Sequence, residues 1–261
     1  MSELSWPELN EFSMLLTNNN RSKAYLQNLI TNGFVPSHAV VLDSGYKVLP
    51  EHTESDLRSY SVTNQKLIRT CKEAGISFDE KEHIQRTLQS FDIPHQILPT
   101  IDVNSAQVVE AIKYSNGNYI VYSGPGGTVL RSEILSIGKY FLHVHPGWLP
   151  AFRGSTVPYY SILLGNSIAC SVISFVEEID KGPVFYRREF KIPPDINLDY
   201  VYEPTIRTAT LIDFFRLFSG KSPEPIPVDN ENSDQFYIIH PLLKHISILS
   251  LQKTVDDDNP A

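Results

Sequence analysis

Two histidines and an aspartate carry the chemistry that this sequence suggests. His143 and His145 end an apolar run, just before Pro146, Gly147 and Pro150 turn the chain. Asp180 follows a second apolar run over 172–176 and stands before Gly182 and Pro183. Two β-rich runs thus each deliver a proton-handling side chain near a strand end, where open α/β sheets hold their ligands. A His beside a carboxylate forms an acid/base pair, because the carboxylate raises the imidazole pKa and fixes its tautomer. Residues two apart on a strand share a face, so His143 and His145 are expected to look into one pocket.

The elements that must position these residues alternate strand and helix. Short apolar runs over 12–16, 38–42, 93–98, 119–122, 141–144, 168–176 and 184–192 read as strands. Helices are expected over 22–31, closed by Asn32-Gly33, and over 57–74 and 105–114. Another is expected over 79–90, with Phe78 and Asp79 as staple and cap. An amphipathic helix is expected over 205–218, and a last helix or extended arm over 236–251. Segment 43–55 reads as a loop, 222–227 as a Pro-rich linker, and 253–261 as a polar tail that frays. This order specifies an α/β fold with a mostly parallel twisted sheet. The domain reading is a catalytic domain over 1–220 and a short C-terminal extension over 221–261.

Composition narrows the function classes. The hydrophobic share of 41% and charged share of 20% fit a globular chain, and the formal net charge of -8 comes with no basic stripe. Binding to a nucleic-acid backbone depends on such a stripe, so no nucleic-acid partner is expected. No stretch is long and apolar enough to span a bilayer, and the N-terminus has no basic-then-apolar leader, so a cytoplasmic location without membrane contact is expected. Cys71 and Cys170 are the only cysteines, and their spacing suggests neither zinc nor a disulfide framework. Cys170 lies in an apolar run and reads as a buried free thiol. His240 and His245 have nearly metal-ligand spacing but no third ligand close in sequence, so no metal is expected.

At the histidine and aspartate motifs the chain resembles the folate-dependent formyltransferases. Their hallmark reads Asn-x-His-Pro-Ser-Leu-Leu-Pro, then Arg-Gly, then Gly-x-Asp-x-Gly-Pro. The matching residues are His145, Pro146, Leu149, Pro150, Arg153, Gly154, Asp180, Gly182 and Pro183. The chain departs at His143, which stands where the family has Asn, and at Glu178, which replaces a Gly. Gly147 replaces a Ser, and Trp148 a Leu.

The resemblance implies a Rossmann-like formyltransferase fold and 10-formyltetrahydrofolate as co-substrate. It makes His143, His145 and Asp180 the catalytic residues, with His145 as base, Asp180 orienting it, and His143 or a backbone N–H holding the formyl oxygen. It places Gly124, Gly127, Thr128, Val129, Val176 and Glu177 around the folate, and Trp148, Arg153 and Gly154 at the acceptor. The inserted segment 45–100 and the short acidic tail resemble the sugar N-formyltransferases. The implied acceptor is therefore the amine of a nucleotide-linked amino-dideoxy sugar, in surface-polysaccharide assembly, with a homodimer left open. Two alternatives stand beside this reading: methionyl-tRNA or another small amine as acceptor, and a non-catalytic folate- or nucleotide-binding protein in which His143 marks a lost active site.

Overall fold

The computed structural model describes residues 6–45, 74–165, 167–192, 197–230 and 233–257. The helix expected over 57–74, most of the loop expected over 43–55, Cys71 and the last four residues of the polar tail lie outside them. The strands are β1 (Phe12–Thr17), β2 (His38–Leu42), β3 (His95–Leu98), β4 (Tyr119–Ser123), β5 (Tyr140–His145), β6 (Phe152–Gly154), β7 (Ile168–Ser174), β8 (Val184–Phe190) and β9 (Asp234–Phe236). The helices are α1 (Asn20–Thr31), α2 (Ile84–Ser90), α3 (Ala106–Lys113), α4 (Ser132–Leu135), α5 (Val157–Gly165), α6 (Glu203–Phe218) and α7 (Pro241–Asp257). A π-helical turn, Leu198–Tyr202, leads into α6.

Seven strands form one sheet in the order β3-β2-β1-β4-β5-β7-β8. The first five are parallel, and β7 runs antiparallel to both β5 and β8. The chain leaves β1 toward β2 and β3, then returns to its other side at β4. That reversal opens a crevice at the carboxyl ends of β1 and β4, the usual ligand position in such sheets.

The strand sequences follow from burial on both faces. In β1, Met14 and Leu16 join the core under α1 and α6, while Leu15 faces the second core under α3 and α4. A strand covered on both sides reads as a continuous apolar run, because both pleat directions meet helices. In β5, Leu142 and Val144 join the first core and Phe141 joins the second. Alternation then sends His143 and His145 to the Phe141 side.

Some local expectations change. The helix expected over 79–90 starts at Ile84. Asp79 instead accepts from the Lys81 N–H at 2.8 Å, which holds a turn, and His83 caps the helix by accepting from the Gln85 N–H at 3.3 Å. Phe78 packs against the core rather than acting as a staple. Helix α6 is buried almost all round instead of amphipathic. Its threonines allow this, since Thr205, Thr208 and Thr210 each donate to the carbonyl four residues earlier. Residue Ile226 bridges to Val184, so the Pro-rich segment runs against the sheet edge. Beyond it, Phe236 ends β9, which lies beside β6, and the rest of 236–251 leads into α7, which begins at Pro241 and continues to Asp257.

Candidate active site

His145 ends β5 and is only 2% exposed. Its Nε2 lies 2.8 Å from the Phe152 carbonyl oxygen. A carbonyl can only accept, so Nε2 carries the proton and donates it. In the neutral ring the lone pair is therefore on Nδ1, which faces Asp180 Oδ1 at 3.3 Å. The tautomer is set by the Phe152 carbonyl rather than by Asp180, which corrects the expectation from sequence. Gly147 makes room for this contact: a Cβ there would lie 2.8 Å from His145 Nε2 and 2.7 Å from the Phe152 oxygen.

Asp180 is 9% exposed and sits at a left-handed φ of 53°, which Asp tolerates better than most residues. Its Oδ2 accepts from the Gly154 N–H at 2.9 Å. Gly154 itself has φ of 103°, and a Cβ there would collide with the Phe236 carbonyl of β9. The β6–β9 pairing thereby holds the donor that fixes the carboxylate. Burial opposes ionisation of Asp180, but His145, His143 and the Gly154 N–H outweigh it and hold the carboxyl well below the usual range. Thr156, β-branched, also has a left-handed φ of 52° and is held by accepting from the Ile239 N–H at 2.9 Å. Such strain persists where surrounding structure over-determines it, often at functional sites.

His143 stacks on Phe175, with centroids 4.7 Å apart, and lies 6.4 Å from the His145 ring. Its Nδ1 is buried without a hydrogen-bond partner. Burial, then the charge of Arg207, holds this imidazole well below its ordinary range, against the pull of Asp180. His143 is thus a neutral ring with one N–H to donate.

These three residues line a cleft of about 520 Å³ together with Gly127, Thr128, Val129, Val176, Glu177 and Gly154. Trp148, Arg153 and Gly124 are not on its wall. Trp148 is 41% exposed and stacks under the Arg187 guanidinium. Arg153 is buried and donates to the Ser233 carbonyl at 2.7 Å, tying down the segment before β9. The Gly124 carbonyl instead accepts from Arg21. Of the paired arginines on β8, Arg187 donates to the Leu149 carbonyl and Arg188 pairs with Asp213 at 2.6 Å.

Sequence reading missed two cations on the cleft wall, Arg21 of α1 and Arg207 of α6. Arg207 is 3% exposed and pairs with Glu203, while its Nε and Nη2 find no partner. The available signal was an arginine inside an otherwise apolar and threonine-rich helix. Cys170 plays no part; burial pushes its thiol up to about 12.

Fold and site together define an α/β protein with a ligand cleft at the sheet's switch point and a histidine–carboxylate pair in its wall. Residues 72–209, more than half of the chain, match the formyl transferase family, and the protein belongs to it. Methionyl-tRNA formyltransferase of Wolbachia pipientis is 26% identical over 113 residues, 42% of this chain and 37% of that protein. The same enzyme of Mycoplasma pneumoniae is 30% identical over 101 residues, 37% of this chain and 32% of the relative. The alignments thus span about a third of the length of these relatives. A sugar N-formyltransferase from Shewanella superposes with a TM-score of 0.52 at 16% identity, over 92% of this chain and 87% of that one. Glycinamide ribonucleotide transformylase 1 from Geobacillus kaustophilus gives 0.53 at 14% identity, over 81% of this chain and all of the other (100%). At such identities the superpositions establish the fold alone.

Proposed function

We propose that the chain transfers the formyl group of 10-formyltetrahydrofolate to the amine of a nucleotide-linked amino-dideoxy sugar. The observation that carries formyl transfer is the His145–Asp180 pair in the cleft wall at the end of β5, with Nδ1 3.3 Å from the carboxylate. The acceptor nitrogen bonds to the formyl carbon and becomes positively charged. His145 Nδ1 takes its proton, and Asp180 stabilises the resulting imidazolium. The formyl oxygen becomes an oxyanion, and neutral His143 donates its one N–H to it. The bond from carbon to the folate nitrogen then breaks, and His145 returns the proton to that nitrogen, giving tetrahydrofolate and an N-formyl product. The loop carrying Gly127, Thr128 and Val129, with Val176 and Glu177 opposite, forms the proposed folate wall.

The acceptor class rests on charge. The chain is acidic, with a net charge of -8 and no basic stripe, which disfavours a tRNA-sized polyanion. Arg21 and Arg207 nevertheless put positive charge on the cleft wall, enough for one or two phosphates. They take the role expected of Arg153. The test is formyl transfer to a panel of nucleotide-linked amino sugars, with methionyl-tRNA and glycinamide ribonucleotide as controls. Turnover with a sugar and a shallow salt dependence are expected. Turnover with a control alone would overturn the acceptor, and none with any amine would overturn the reaction.

A further inference from the structure

We propose that His143, His145 and Asp180 also bind a zinc-type divalent cation, in competition with the proton at His145 Nδ1. Each residue offers one ligand atom, and all three atoms lie within 4.8 Å of one another. Among the described residues no other three His, Cys, Asp or Glu side chains converge in this way.

The His145–Asp180 half is already at bite distance. Zinc with ligands at about 2.0–2.1 Å in a tetrahedron has ligand–ligand edges of about 3.3–3.4 Å. Nδ1 and Oδ1 stand 3.3 Å apart. In the neutral ring both atoms present lone pairs to each other, which is repulsive until a proton or a cation lies between them. The outer contacts are those a metal ligand needs. A ligating histidine usually donates its other N–H to a carbonyl or carboxylate, which fixes the ring. His145 Nε2 does so to Phe152 at 2.8 Å, and the second oxygen of Asp180 is held by the Gly154 N–H at 2.9 Å.

His143 completes the donor set. It faces the same side of β5, and its Nδ1 is buried without a partner. Its ligand atom lies within 4.8 Å of the other two, and metal binding would require it to close to a tetrahedral edge. An amide at this position would supply no imidazole nitrogen. Two imidazoles and a carboxylate suit zinc-type ions, whose three-ligand sites take a water as the fourth ligand. Arg21 and Arg207 act against the cation, while Glu177, Glu178 and Glu203 on the same cleft act for it.

The consequence rests on the proposed reaction: a bound metal takes the lone pair that accepts the amine proton, so it blocks transfer reversibly. Metal binding itself is tested without that reaction. The full chain is freed of metal with a chelator, then titrated with Co²⁺ near neutral pH. A single equivalent is expected to give the visible absorption of four-coordinate cobalt, displaced by Zn²⁺. His143→Asn and Asp180→Asn should each weaken binding about tenfold or more. His240→Ala and His245→Ala should leave it unchanged. Circular dichroism checks folding, and His143→Gln replaces His143→Asn if the latter misfolds. No visible band, a band that survives both site variants, or a band lost with His240 or His245 would overturn the assignment.

Discussion

Two buried ion pairs flank the cleft, and they are built differently. The His145–Asp180 pair is satisfied at its outer atoms: the Phe152 carbonyl accepts from His145 Nε2, the Gly154 N–H donates to Asp180 Oδ2, and the inner atoms face each other at 3.3 Å. The Arg207–Glu203 pair leaves two guanidinium nitrogens without partners in the interior. Burying charge costs free energy unless partners restore what water supplied. The first pair therefore holds a geometry, while the second leaves the Arg207 charge incompletely compensated, an excess of positive potential on that side of the cleft. That excess is felt at His143, whose neutrality owes most to burial and next most to Arg207.

Breaking the satisfied pair should have the largest effect, and it should fall on activity. Asp180→Asn removes the charge that stabilises the His145 imidazolium and points an amide at its lone pair. On the proposed mechanism, kcat should fall roughly 10²–10⁴-fold, the range for loss of acid/base catalysis. Steady-state assay of the folded variant checks this, and turnover near wild type would remove Asp180 from the mechanism.

Breaking the unsatisfied pair should fall on stability. Glu203→Gln strands the Arg207 charge in the core and should cost about 3 kcal/mol, the low end for broken buried pairs, because Glu203 is a quarter exposed. Arg207→Met with Glu203→Leu should be neutral or stabilising, since both charges leave together. Urea unfolding of the three proteins decides. Equal stability of Glu203→Gln and wild type would mean that Glu203 does little to offset the buried charge.

The smallest effect sharpens the link between the two pairs. His143 is neutral in the fold with its pKa depressed, and it protonates in the unfolded chain below about 6.5. The unfolded state thus binds more protons as pH falls from about 6.5 toward the folded value, and stability must drop in that window. Asp180, also depressed, contributes its share above the unfolded value of about 3.9 and loses it only as pH falls further, through the folded value. Between neutral pH and one unit below 6.5, wild type should lose about 1 kcal/mol more than His143→Asn. Urea midpoints at both pH values measure this, and identical losses would show that His143 is not held neutral.

Much of this was legible in the residues. The central strands β1, β2 and β4 were readable because they are buried on two faces and therefore largely apolar, as in Leu15 and Leu16 of β1, whereas the edge strand β3 exposes Gln96 and Ile97. His143, His145 and Asp180 were readable because histidines and a carboxylate at strand ends are rare among apolar runs and turns. Helix α6 was misjudged as amphipathic because its threonines look polar in sequence, yet each hydroxyl returns to a backbone carbonyl four residues earlier. Arg153 was read as an acceptor contact because the family resemblance implied it, whereas packing ties it to the Ser233 carbonyl.

The sequence by itself determined the α/β order and which side chains could move a proton, since both follow from local periodicity and residue chemistry. Only the tertiary structure decided which nitrogen of His145 is free. That choice depends on the Phe152 carbonyl, on the missing Cβ of Gly147, and on the meeting of β6 with β9 from the distant C-terminal segment. It likewise decided that Arg21 and Arg207, more than 180 residues apart in the chain, face one cleft. Such contacts bring together elements far apart in the chain, and no pattern within either element encodes the other's position.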